Sequence, residues 1–259
     1  MTHVLLPAAV ALFGLSTAFY LAALWSSRPA LLRIGHAVLG LTLLVAAGAV
    51  FALVGDALEG TYTQVGLVVS ALVLGAVYLV LTRRYPVAGL GSFVSALATL
   101  LVLFAFLGGQ AAPSPTPTVL DGLLRVHIVL AFVGVTAFGF STSVSVVYLM
   151  QARLLKQKSN VELRRRLPPL DVLDRLALKG IVLGFPFYTV SILLGSAYAI
   201  RTDHLRASYV LAIVSWAIYG VVLQARLTAG WRGQRAAVLT TAGLLVVLGA
   251  VAQYSFGVG

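Results

Sequence analysis

Residues 34–55 read IGHAVLGLTLLVAAGAVFALVG, 22 residues without an Asp, Glu, Lys or Arg. A helix needs roughly 20 mostly apolar residues to cross the hydrocarbon core of a bilayer, and inside that core every backbone N–H and C=O must be bonded within the segment. The stretch therefore predicts a transmembrane helix. Working outward from it, apolar runs punctuated by charge, Pro and Gly predict spans at 4–25, 34–55, 62–82, 86–109, 120–151, 173–200, 207–227 and 234–255. The fold expected is all-α: a polytopic integral membrane bundle of about eight helices. The fifth and sixth runs exceed the bilayer thickness and should tilt or project into water.

Composition agrees. Of the 259 residues, 60% are hydrophobic and only 10% charged, against about 25% charged in a soluble domain. The first residues, MTHVLLPAAV, lack the basic start of a cleavable signal peptide, so the first run is expected to stay as a span. There is no cysteine, which excludes disulfides, thiolate metal sites, a Cys nucleophile and covalent c-type haem attachment to this chain. The net charge of +11 lies in short segments between spans, a pattern that argues against nucleic acid as a partner.

Loop charge predicts orientation. Of the 18 Lys and Arg, only Arg125, Arg201 and Arg206 fall on one side, accompanied by Asp56, Glu59, Asp121 and Asp203; all the others fall on the opposite side. The basic side is expected to be cytoplasmic, which places both termini outside, in a bacterial cytoplasmic membrane. The charge-free, Pro-rich GGQAAPSPTPT (108–118) cannot continue a helix and divides the chain into a four-helix N-terminal half (1–110) and a four-helix C-terminal half (119–259). No convincing repeat relates them. In SNVELRRRLPPLD, Pro168 and Pro169 set a turn, and Asp171 serves as N-cap or first-turn acid of the next helix.

Ionisable groups inside a membrane are functional candidates by default. His127 sits about two turns into the fifth span, beneath Asp121 and Arg125. A neutral imidazole there can ligate metal or haem iron through one nitrogen while the other is held by an acceptor; the alternative is an interfacial histidine hydrogen-bonded to a neighbouring helix. His204, in RTDHLR, lies between Arg201 and Arg206, whose guanidinium groups could match haem propionates; the alternative is a solvated polar turn. His3 shares that outer side, while His36 lies at the cytoplasmic end of the second span. Gly180 and Gly184, four apart, offer a smooth face to another helix, and Pro186 bends the sixth span. The hydroxyls of Ser141, Thr142, Ser143 and Ser145 are expected to bond carbonyls one turn back. Tyr198, Tyr209, Trp216 and Tyr219 form an aromatic belt in part, and in part a shelf for a flat ligand. No Walker loop, HExxH helix, Gly-x-Ser-x-Gly elbow or mid-span carboxylate is present, so neither an enzyme nor an ion-coupled transporter is favoured; a small-molecule transporter is the weakest reading.

LPPLDVLDRLALKGIVLGFPFYTVSILLGSAYA (167–199) and SWAIYGVVLQARLTAGWRGQRAA (215–237), preceded by RVHIVLAFVGVTAFGFSTSVSVVYLMQARLLK (125–156), resemble the cytochrome c assembly superfamily of CcsA and HemX type. The resemblance rests on a "GFP-x-x-T" span, a basic "GWrG" turn and a histidine-bearing span ending in "YL-x-q-x-x-LK", in that order. It implies a haem-handling protein presenting haem b at the outer face during cytochrome c maturation, with His127 as iron ligand; Arg125, Arg201, Arg206 and His204 are the polar residues expected on that side to accompany it. It implies as partner either a cytochrome c assembly protein or, for HemX-type relatives, a tetrapyrrole-synthesis enzyme such as glutamyl-tRNA reductase, docked on Arg164, Arg165 and Arg166. The sequence departs from that family where AIRTDHLRASY (199–209) stands in place of a tryptophan-rich segment, where Gln224 replaces a histidine, and where AVAQYSFG stands in place of a second outer histidine.

Overall fold

The computed structural model describes residues 2–26, 28–55, 62–83, 85, 89–108, 119–158, 163, 167–202 and 207–256. They form eight α-helices: α1 Thr2–Trp25, α2 Pro29–Gly55, α3 Tyr62–Thr82, α4 Leu90–Leu107, α5 Val119–Lys156, α6 Leu170–Thr202, α7 Ala207–Thr228 and α8 Gln234–Phe256. Each is long and apolar enough to cross a membrane, and no strand occurs among the described residues. Several helices outrun their predicted spans. Hydropathy marks the stretch that tolerates hydrocarbon, whereas a helix continues until its hydrogen bonds stop. α5 thus runs 38 residues and carries Arg153 and Lys156 in its last turn. α6 begins at Leu170, where the amides of Val172 and Leu173 bond the Pro169 carbonyl. Asp171 is accordingly a first-turn acid, paired on the surface with Arg175.

Neighbours in the chain pack as antiparallel pairs, and the pairs close into two rings. Contacts run α1–α2, α2–α3, α3–α4 and α4–α1 in the first four helices, and α5–α6, α6–α7, α7–α8 and α8–α5 in the last four. α3, α4 and α8 link the two rings, the first two through α5 and the third through α4. Phe132 of α5 lies where Gly66 of α3 leaves out a side chain, and Leu97 of α4 fills the gap beside Gly139 of α5. The outside is apolar rather than polar: Leu44 is 72% and Phe51 83% exposed, as befits side chains that face lipid.

Lipid tails solvate a leucine as well as a helix does, so helix association in a membrane depends on close packing and on hydrogen bonds between helices. The α5–α6 seam is built that way. A Cβ at Gly180 would stand 2.9 Å from the Ala137 carbonyl oxygen, and one at Gly184 would stand 2.9 Å from the Ala137 methyl and 3.0 Å from Phe138. Gly134 returns the fit from α5, receiving Tyr188. Of the four hydroxyls in STSVS (141–145), Ser143 and Ser145 bond back to carbonyls one turn earlier, as expected. The other two bridge helices instead: Ser141 donates to Ala177 O of α6 at 2.7 Å and Thr142 to Thr240 O of α8 at 3.2 Å. α6 stays helical through Pro186.

The ends of α6, α7 and α8 are tied at the basic side. Arg226, with its side chain 3% exposed, donates to Asp174 Oδ1 at 2.9 Å and to Asp174 O at 3.2 Å. The same carboxylate oxygen accepts the Gly233 amide at 3.2 Å. Gly230 and Gly233 hold φ of +63° and +75°, left-handed values that only glycine adopts without strain, and these let the α7–α8 turn fold onto Asp174.

Two outcomes test this packing. Gly184→Val should lower stability by about 1–3 kcal/mol, the usual cost of overpacking, whereas Gly14→Ala, with nothing within 4 Å, should be neutral in thermal unfolding in detergent. Asp174→Asn should cost about 3–5 kcal/mol by leaving Arg226 buried and unpaired, with part of that recovered in the Asp174→Asn, Arg226→Met double variant.

Candidate functional site

His127 lies in α5 at the end of the bundle opposite the Asp174 knot, and it faces α6. Asp174 and Ser191 are 17 positions apart on α6, about 25 Å of helix at 1.5 Å per residue. His127 Nδ1 is 2.6 Å from the Ser191 carbonyl oxygen and 3.0 Å from Ser191 Oγ, and Ser191 Oγ donates to the His127 carbonyl at 3.1 Å. Because a carbonyl can only accept, Nδ1 carries the proton. The neutral ring then presents the lone pair of Nε2. The imidazole packs against α6 where Gly195 leaves room: a Cβ there would come within 2.7 Å of Cε1 and 3.0 Å of Nδ1. Ser191 is buried, and Tyr209 of α7 closes the neighbourhood by donating to Ile192 O at 3.4 Å. A histidine whose Nδ1–H is held by a carbonyl is the arrangement that fixes a ring to bind metal through Nε2.

Of the other expected site residues, Arg125 stands apart. Arg125 precedes His127 by two positions, about 200° around the helix, and its guanidinium stands 5.1 Å over the ring of Tyr62 in α3, a cation–π contact. His204 and Arg206 lie outside the described residues, as do Arg164, Arg165 and Arg166; Arg201 is helical, with its side chain outside the described set. His3 is exposed in the first turn of α1. No cluster of three or more His, Cys, Asp and Glu occurs among the described residues.

The aromatic side chains divide differently from the expected belt and shelf. Tyr219 is buried and stacks on Phe138 at 3.6 Å, so it belongs to the core. Trp216 donates to Thr189 Oγ1 at 3.0 Å and stacks with Phe185 on the lipid-facing side. At the basic end of the first ring, His36 joins Tyr20 and Tyr78 in a ring cluster, with Tyr78 Oη 3.4 Å from its Nε2.

Ser191 and Gly195 are the residues that reading the sequence missed. They sit four apart on one face of α6, and the spacing was visible. That this face meets His127 depends on the α5–α6 register, which no local pattern encodes.

The family profile described as Cytochrome C assembly protein matches residues 58–252. Among similar curated proteins, the cytochrome c biogenesis protein CcsA of Chlamydomonas reinhardtii is 28% identical over 170 residues, covering 61% of this chain and 46% of the relative. The CcsA protein of Guillardia theta is 24% identical over 214 residues, covering 73% of this chain and 70% of the relative. That of Gloeothece citriformis is 33% identical over 90 residues, 32% of this chain and 26% of the relative. The chain thus spans about half the length, or less, of the first of these relatives. No solved structure matches.

Ser191→Ala should remove the reciprocal hydroxyl bond while keeping the carbonyl acceptor, at a cost of about 1 kcal/mol in unfolding. Gly195→Val should displace the His127 ring from α6, read as a changed His127 ring signal by NMR with helical content unaltered.

Proposed function

The chain belongs to the cytochrome c assembly protein family, and from that premise we propose that it is a haem-handling membrane protein of cytochrome c biogenesis, with His127 as iron ligand at the outer end of α5. The observation that carries the proposal is the tautomer: Nδ1–H on the Ser191 carbonyl leaves Nε2 as a neutral donor. The donor set fits haem, whose iron takes one imidazole nitrogen and leaves its other face to a second ligand or to a partner. In this reading Ser191 orients the ring, Gly195 makes the space it occupies, and Arg201, His204 and Arg206 supply the polar surroundings of the propionates. Arg125, engaged with Tyr62, keeps the top of α5 against the first ring of helices.

The positive-inside bias of the loops supports an orientation with both termini and His127 away from the cytoplasm, and the charge-free, Pro-rich 108–118 supports a division into halves at 1–110 and 119–259. The protein on this account is not itself a catalyst but an assembly factor acting with a partner. A second reading rests on the tryptophan-free AIRTDHLRASY and on Gln224: a regulatory protein of tetrapyrrole synthesis that docks a cytosolic enzyme through Arg164, Arg165 and Arg166. Copurification of glutamyl-tRNA reductase, lost when those three become Ala, would favour it.

Purified from haem-supplemented cells, wild type should carry haem b in near-stoichiometric amount by its Soret band. His127→Ala should lose it while retaining its helical content. Absence of haem from both proteins would overturn the ligand assignment.

A further inference from the structure

Among the described residues at the basic end, two pairs of cations without an ion-pair partner line cavities. Arg153 and Lys156, in the last turn of α5, line a cavity of about 460 Å³. Arg232 and Arg235, at the turn into α8, line a neighbouring cavity of about 800 Å³, and Gln234 lines both. None of the four side chains has an ion-pair or hydrogen-bond partner among the described residues. The two acids described at this end are already taken, Asp171 by Arg175 and Asp174 by Arg226 and the Gly233 amide. Four like charges around adjoining cavities repel one another until counter-charge arrives.

The walls say what form that counter-charge takes. The larger cavity continues onto Val238 and Leu239, one turn into α8, with Trp231 at its rim. Val238 is half exposed and Leu227, at the end of α7, is 67% exposed. A soluble anion or an acidic protein surface has no use for such a wall, whereas an amphiphile with an anionic head does. The cations come as two pairs joined at one neutral amide, which suits two phosphodiesters linked by a short polar bridge.

We propose that the two cavities form one site for a diphosphate phospholipid of the cardiolipin class. One phosphate sits at Arg153 and Lys156, the other at Arg232 and Arg235, and the acyl chains run along Val238 and Leu227. Basic pockets between helices at a membrane surface hold such headgroups. The bound lipid clamps the end of α5 to the start of α8, helices that already touch, beside the turn that Gly233 anchors to Asp174. The site is independent of haem.

The test is native mass spectrometry of the full chain in detergent with defined lipids. Wild type should retain one cardiolipin in preference to phosphatidylglycerol, with free inorganic phosphate failing to compete. Charge reversal at Arg232→Glu and Arg235→Glu removes two surface cations and should weaken retention about thirtyfold or more. The same reversal at Arg28→Glu and Arg33→Glu, at the same end of the first ring, should leave it unchanged. If the first variant does not fold by circular dichroism, Arg153→Gln with Lys156→Gln should reduce cardiolipin retention to the phosphatidylglycerol level. Equal retention of the two lipids, equal loss in the Arg28 and Arg33 variant, or an acidic protein bound in place of lipid would overturn the proposal.

Discussion

The close approach of α5 and α6 is the constraint on which the rest of the structure depends. In lipid there is no hydrophobic gain in bringing two helices together, so the pair must be held by shape and by hydrogen bonds. Gly134, Ala137 and Ser141 on one helix meet Gly180, Gly184 and Tyr188 on the other, and Ser141 donates across to Ala177 O. Small residues let the backbones approach until side-chain bonds can span the gap. That seam fixes the register of two helices of 38 and 33 residues, and both polar ends of the C-terminal ring inherit it.

At one end the register sets His127 on Ser191 and Gly195. At the other it holds Asp174 where Arg226 and the Gly233 amide converge on it. A slip of one residue along the seam would rotate α6 by about 100° and separate both sets together. The buried Arg226–Asp174 pair is better understood as a device that specifies this arrangement than as a source of net stability, because desolvating two charges offsets most of their attraction. The hydrogen-bonded histidine has the same character: its worth lies in where it points Nε2.

The bundle was legible in the sequence because each transmembrane helix satisfies its own backbone, so a single apolar run such as 34–55 carries the information for one element. Helix ends were less legible: α2 starts at Pro29, five residues ahead of its apolar run, although the length of the fifth run did foretell that α5 projects past the bilayer. His127 could be singled out because a titratable group in hydrocarbon is costly wherever it sits. Its partners could not. Ser191 looks like any hydroxyl in a span, and Tyr219 looks like a belt residue until its stacking on Phe138 is seen. Arg125 stood next to His127 in sequence, yet helical geometry turns it toward Tyr62. The resemblance to the cytochrome c assembly family was carried by short motifs in the right order, and a family match over residues 58–252 agrees with it.

The α5–α6 seam holds His127 as the Nδ1–H tautomer with Nε2 available. Nitrogen-15 NMR of imidazole-labelled protein in lipid nanodiscs, assigned with His127→Ala, reads that directly. A protonated Nδ1 and an unprotonated Nε2 in the haem-free protein are the predicted result. A proton on Nε2, or a His127 signal unaffected by Ser191→Ala and Gly195→Val, would contradict it.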